Sequence, residues 1–172
     1  MHPEAYSGFA DKVLEAGLDP TAELKVLDIG SHNANGNVRD LLPNSAWTGL
    51  DIVDGEDVDI VADATTWRSK RRFDVVATTE TFEHLEDWRA LLDTAVHHLS
   101  KNGPQVLLVT CASTGRPVHG AWGAPHLQAG EWYNNVSPED LRTELEARFE
   151  DVSVTYRQNP GDAYAYAKGV KK

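Results

Sequence analysis

Apolar positions along this chain gather into short continuous runs that end near glycine or an acidic residue, and the runs alternate with stretches of helical spacing. Val26, Leu27 and Ile29 stop at Gly30, and Trp47 to Val53, Val58 to Val61, Phe73 to Thr79 and Gln105 to Cys111 repeat the arrangement. Runs this short and this apolar predict strands buried on both faces, as in a parallel sheet. Helical spacing precedes them in Tyr6, Phe9, Ala10 and Val13, with Gly17 as a C-cap and Pro20 as a stop. It returns at Val38 to Leu42, cut short by Pro43, and at Trp88, Leu91, Leu92, Ala95, Val96 and Leu99, ended by Gly103. On that stripe His97 faces away and His98 lies at the edge.

Ser137 opens a further helix. It can cap the first turn, Pro138 suits the first helical position, Asp140 stands where a capping-box partner belongs, and Val136 can staple to Leu141. Leu141, Leu145 and Phe149 supply its buried face. Asp151 to Tyr156 and Ala163 to Val170 then alternate about Asn159-Pro160-Gly161, which predicts a final antiparallel hairpin. The whole is an α/β pattern: one domain over residues 1–172 with a mostly parallel seven-stranded sheet, helices on both faces and a C-terminal antiparallel hairpin. Ligands in such sheets lie beyond the carboxyl ends of the strands. Those ends carry Gly30, Asp51, Asp63, Thr79, Glu80 and Cys111.

The stretch KVLDIGSHNANG, Lys25 to Gly36, reads as strand, tight loop and helix start, a form that offers backbone N–H groups to a ligand. Asp28 and Asp51 add acceptors. Asp51 follows Gly30 by 21 residues, close to the offset of about 20 at which a carboxylate grips a ribose in nucleotide-binding βαβ units. A pyrophosphate would need a second bare glycine where this chain has His32, so the dinucleotide fingerprint fails. A nucleoside without phosphates makes no such demand.

VLDIGS, then NG, GLDI and VADA together resemble the class I S-adenosylmethionine-dependent methyltransferases, in the branch where the glycine-rich motif is loosened; the resemblance spans Leu24 to Arg157. It implies a Rossmann-like fold with S-adenosyl-L-methionine beside Asp28, Gly30, Ser31, His32, Asn33 and Gly36. It also implies that Asp51 holds the ribose hydroxyls next to Ile52, that Asp63 accepts from the adenine amino group next to Ala64, and that Thr79 lies close by. The helix within residues 1–18 would cover the cofactor, although most of its apolar residues pack the core.

Thr79-Glu80-Thr81-Phe82-Glu83-His84 follows the fourth strand. In a helical turn Glu80, Glu83 and His84 fall on one side. That trio supports two exclusive expectations. It binds magnesium or manganese, as the E-x-x-E-H element does in the metal-dependent RNA 2′-O-methyltransferases and ubiquinone-pathway enzymes it resembles, or Glu83 orients His84 as a general base. Residues 113–136 lack periodicity and form a lid by expectation. Within it His119, Trp122 and His126 are substrate candidates along with Glu80, either histidine being a possible extra metal ligand, and Trp132 and Tyr133 can wall a pocket.

A formal charge of −11 over 172 residues opposes phosphate-driven nucleic-acid binding. The basic cluster Arg68, Lys70, Arg71 and Arg72 reads as a solvated helix end. Amino-methylating DNA enzymes carry D/N-P-P-Y/F after the fourth strand, where this chain has Thr78-Thr79-Glu80-Thr81, and the Pro-Cys of cytosine-C5 enzymes is missing because Cys111 follows Thr110. One cysteine permits no intrachain disulfide. With no signal peptide or spanning segment in the pattern, the expectation is a cytoplasmic transferase with a small-molecule substrate and no membrane partner. The rivals are a metal-dependent RNA 2′-O-methyltransferase, a non-catalytic S-adenosylmethionine-binding scaffold and a nicotinamide oxidoreductase.

Overall fold

The computed structural model describes residues 2–172. Seven strands, β1 (Lys25–Ile29), β2 (Ala46–Asp51), β3 (Ile60–Val61), β4 (Val75–Thr79), β5 (Val106–Ala112), β6 (Phe149–Arg157) and β7 (Asp162–Val170), form one sheet in the order β3-β2-β1-β4-β5-β7-β6. The first five are parallel to one another, and β7 lies antiparallel to both β5 and β6. Strand order reverses between β1 and β4, so the loops after these strands diverge and open a crevice.

The central strands β1, β4 and β5 are buried on both sides, which is why their apolar runs are near-continuous instead of alternating, while β3 at the sheet edge stays partly exposed. Val26, Val75, Ala77, Val106 and Leu108 face α1 (Pro3–Glu15) through Phe9 and Val13. Leu27, Val76, Leu107 and Val109 face the other way, toward Leu91, Leu92 and Ala95 of α2 (Trp88–His98) and Leu141 and Leu145 of α3 (Pro138–Arg148). α3 begins as its sequence predicts: Ser137 accepts the Asp140 N–H, Pro138 is the first helical residue, and Val136 and Leu141 are both buried. Gly17 takes a φ of 70° just past α1.

Two elements depart from expectation. The helix predicted over Val38 to Leu42 is only a 3-10 turn, Arg39–Leu41. Few residues separate the loop from Pro43, too few to repay helix nucleation. Asn37 also accepts the Arg39 N–H, capping the turn from its own side chain. Between β3 and β4 the described residues form turns and no helix, so Arg68, Lys70, Arg71 and Arg72 lie on an exposed loop. His98 is buried there, stacked 4.2 Å from the Trp67 ring and 3.0 Å from the Arg71 carbonyl. The apolar side chain of Trp67 thus covers part of the face that a crossover helix would cover. Among the described residues no helix is long and apolar enough to cross a membrane.

Candidate functional site

Beyond the parallel strand tips lies a cavity of about 830 Å³, within the usual range for small-molecule sites. Its wall runs from β3 across β2, β1 and β4 to the loop after β5. Asp28, Gly30, Ser31, His32, Asn33 and Gly36 line it from the first loop. Asp51, Ile52, Asp63, Ala64 and Thr79 line it from the next tips, and Glu80, His84, His119 and Trp122 line it as well, whereas Glu83 and His126 do not.

The first loop is shaped by close approach. Gly30 has a φ of 78°, and a Cβ there would lie 2.0 Å from Thr81 Oγ1, so both backbone and space require glycine. The expected display of free N–H groups does not occur. The Gly30 and Ser31 N–H groups both donate to the Leu50 carbonyl, the Asn33 N–H donates to the Glu56 carbonyl, and the Gly36 N–H donates to Asn33 Oδ1. The His32 N–H donates to Asp51 Oδ2 at 3.0 Å, and Asp51 Oδ1 accepts the Val53 N–H. With no helix to start, the loop satisfies its donors internally.

Asp57, which sequence reasoning passed over, anchors this loop from below. Its carboxylate accepts from Asn33, Asn37 and Arg39, while Arg39 also donates to the Asp57 carbonyl and reaches Asp28 at 3.4 Å. Burial pushes the Asp28 carboxyl up to about 6 despite the opposing Arg39 guanidinium. Asp63 is exposed and caps its own turn, with Oδ1 accepting from both Thr65 N–H and Oγ1.

The Glu80, Glu83 and His84 trio does not assemble. Glu80 sits at a φ of 52° and a 3-10 turn follows over Phe82–His84, so the helical spacing that would align them never forms. Glu80 instead accepts from Thr110 Oγ1 and lies 3.3 Å from His2 Nε2. Glu83 turns into the core and is fully buried outside the cavity wall, and among the described residues no side chain, His84 included, hydrogen-bonds its carboxyl oxygens. Burial, reinforced by Glu80, holds its carboxyl well above the usual range.

His84 reaches the cavity, with His119 and Tyr133 packed edge-on at 5.2 and 5.6 Å between ring centres. Burial and then His119 lower its pKa, so the ring is neutral, and its Nδ1 has no partner. His119 donates from Nδ1 to the Pro117 carbonyl. Trp132 also lines the cavity, whereas Tyr133 backs His84 from behind and His126 stands exposed outside the wall.

Two groups of ligand-type side chains draw together among the described residues, Glu83 with His84 and His119, and His2 with Glu80 and Asp162; within each, one atom per residue lies within 4.8 Å of the others. Neither suits magnesium. The first offers two imidazoles and a single carboxyl where that ion wants several oxygens, and in the second the carboxylates draw a proton onto His2, pushing it up to about 10. His2 and Arg116, both lining the cavity, were invisible in the sequence because neither belongs to a local pattern.

A family model described as "Methyltransferase domain" matches residues 2–153. No curated protein matches the chain. Among solved structures, the complex of DhpI with S-adenosylhomocysteine is similar at a TM-score of 0.66 and 20% identity, over 96% of this chain and 85% of that one. The 1,6-didemethyltoxoflavin-N1-methyltransferase of Burkholderia thailandensis, solved with its toxoflavin precursor and S-adenosylhomocysteine, matches at 0.66 and 15%, over 98% and 78%. The N-methyltransferase NodS of Bradyrhizobium japonicum WM9, also with S-adenosylhomocysteine, matches at 0.63 and 16%, over 96% and 86%. At these identities the likeness is one of fold.

Proposed function

Because this chain belongs to the methyltransferase-domain family, within the class I S-adenosylmethionine-dependent methyltransferases, we propose that it transfers the methyl group of S-adenosyl-L-methionine to oxygen or nitrogen of a small-molecule acceptor. The observation that carries the reading is the pairing of a first loop whose N–H groups are spent with carboxylates at three successive tips, Asp28, Asp51 and Asp63. Such a wall has little to offer a diphosphate and several acceptors to offer a nucleoside.

In this reading the remaining lone pairs of Asp51 accept the ribose hydroxyls, Asp63 accepts from the adenine amino group, and Ile52 and Ala64 flank the base. Asp28, Asp51, Asp63, Glu80 and Glu131 line the cavity against two cations, His2 and Arg116, each already beside a carboxylate. The field therefore favours a cationic sulfonium and relaxes once transfer leaves a neutral thioether.

The sulfonium is already activated, so the chain's contribution is in-line placement of the acceptor and, for a hydroxyl, removal of its proton. His84 is the base in this scheme: it reaches the cavity, and burial lowers its pKa and so favours the neutral ring. Glu83 lies buried outside the cavity wall. Trp122 and Trp132 cover the acceptor. The small-molecule acceptor is supported by the toxoflavin precursor named with one structural relative and by the net charge of −11, which also opposes the RNA reading.

Calorimetry with S-adenosylhomocysteine and, separately, NAD tests the proposal. Micromolar binding of the thioether nucleoside and none of NAD is expected; preference for NAD, or indifference to both, overturns it. Turnover on an acceptor panel then separates an enzyme from a scaffold.

A further inference from the structure

Asp162 is fully buried at the first position of β7, opposite Ala112 on β5 and Arg157 on β6, and it does not line the cavity. Yet its carboxylate is shared by two residues that do. Oδ1 accepts from Arg116 Nη1 at 2.9 Å, and Oδ2 lies 3.0 Å from His2 Nε2 while accepting from Tyr164 Oη at 3.1 Å. His2 is the N-cap of α1, and Arg116 stands at the root of the 113–136 loop. These are the two segments that cover the strand tips.

We propose that Asp162 is a positioning residue that fastens both covers of the cavity at once, α1 through His2 and the loop through Arg116, and so sets the shape of the acceptor end. That last phrase rests on the methyltransferase reading; the fastening itself does not.

The surroundings fit this role. The Ser113 N–H donates to the Gly161 carbonyl, and a Cβ at Gly161, whose φ is 101°, would lie 2.7 Å from the Arg116 nitrogen. The loop root therefore rests directly on the residue before Asp162. On the other side, His2 also lies 3.3 Å from Glu80 Oε2 and 3.1 Å from Glu4 Oε2. The Nδ1 contact to the Ala5 N–H is long at 3.4 Å. A buried carboxylate is tolerated only when its partners compensate its lost hydration, so Asp162 holds its partners as firmly as they hold it. The loop contains one 3-10 turn, Ala121–Gly123, and besides Arg116 it is tied to the body chiefly through Ser113 to Gly161, Thr114 to Tyr156, Asn134 to Glu83 and Val136 to Ala112.

Hydrogen exchange read by mass spectrometry on the full chain, wild type against Asp162→Asn, tests this. Loss of the charge is expected to speed exchange about tenfold or more in both 3–15 and 114–135, while α2 keeps its wild-type protection. Acceleration in one cover alone, in neither, or evenly through the chain overturns the proposal. Should Asp162→Asn not fold, His2→Gln and Arg116→Gln replace it: each is expected to loosen its own cover only, and failure of either to do so overturns the proposal. Binding of S-adenosylhomocysteine to the wild type is measured separately, so its absence would count against the cofactor reading and leave the fastening result standing.

Discussion

Asp51 accepts the backbone N–H of His32 at 3.0 Å, joining the tip of β2 to the loop that follows β1. One carboxylate thus orders the loop and still presents lone pairs to the cavity.

Asp51→Ala removes both functions. Affinity for S-adenosylhomocysteine, read by calorimetry, is expected to fall at least about thirtyfold, the scale of one lost charged hydrogen-bond pair plus a loosened loop. An unchanged dissociation constant would sink the assignment.

Arg39 acts one step further out, bonding Asp57 and reaching the buried Asp28. Arg39→Ala leaves Asp28 beside no cation, and partial exposure of the arginine reduces the cost from that of a fully buried pair. A loss of about 2 kcal/mol in urea unfolding is expected, with weaker S-adenosylhomocysteine binding. Equal stability to wild type would show that the Arg39 network is ornamental.

Glu83 carries a pKa raised in the fold above its unfolded value. Its contribution to stability is therefore present below the ordinary carboxylate range and lost as pH rises. Glu83→Gln, a neutral isostere, is expected to melt no lower than wild type at pH 8 and to flatten the alkaline decline. Because Glu80 is drawn to His2, magnesium should not raise the melting temperature of either protein. A magnesium-dependent rise abolished by Glu83→Gln would revive the metal reading.

His2 is pushed up to about 10 by Asp162 and then Glu80, against an ordinary value of 6.5. Its folded pKa lies above its unfolded one, so its ion pairs contribute fully below pH 6.5 and fade as pH climbs toward 10. Solvent screening keeps the effect to a few degrees. Thermal melts from pH 6 to 10 should show wild type converging on His2→Gln. A gap that stays constant with pH would remove the imidazolium.

The sequence by itself determined the sheet. Continuous apolar runs such as Val26 to Ile29 can be satisfied only by burial on both faces, and the acidic residues ending those runs fall at one edge because parallel strands place all their carboxyl ends together. The Ser137 cap and the hairpin about Pro160 were legible for the same reason: each is a local pattern whose energy lies within a few residues. Only the tertiary structure decided where the long-range partners went. The spacing of Glu80, Glu83 and His84 suggested one cluster, but a left-handed residue at Glu80 sent the first toward His2 and buried the second. The loop after β1 kept its N–H groups for Leu50 and Asp51, and His2, Arg116 and Asp162 met although most of the chain separates the first from the last. Such meetings depend on which charge finds which partner once water is excluded, and no residue's neighbours in sequence record that choice.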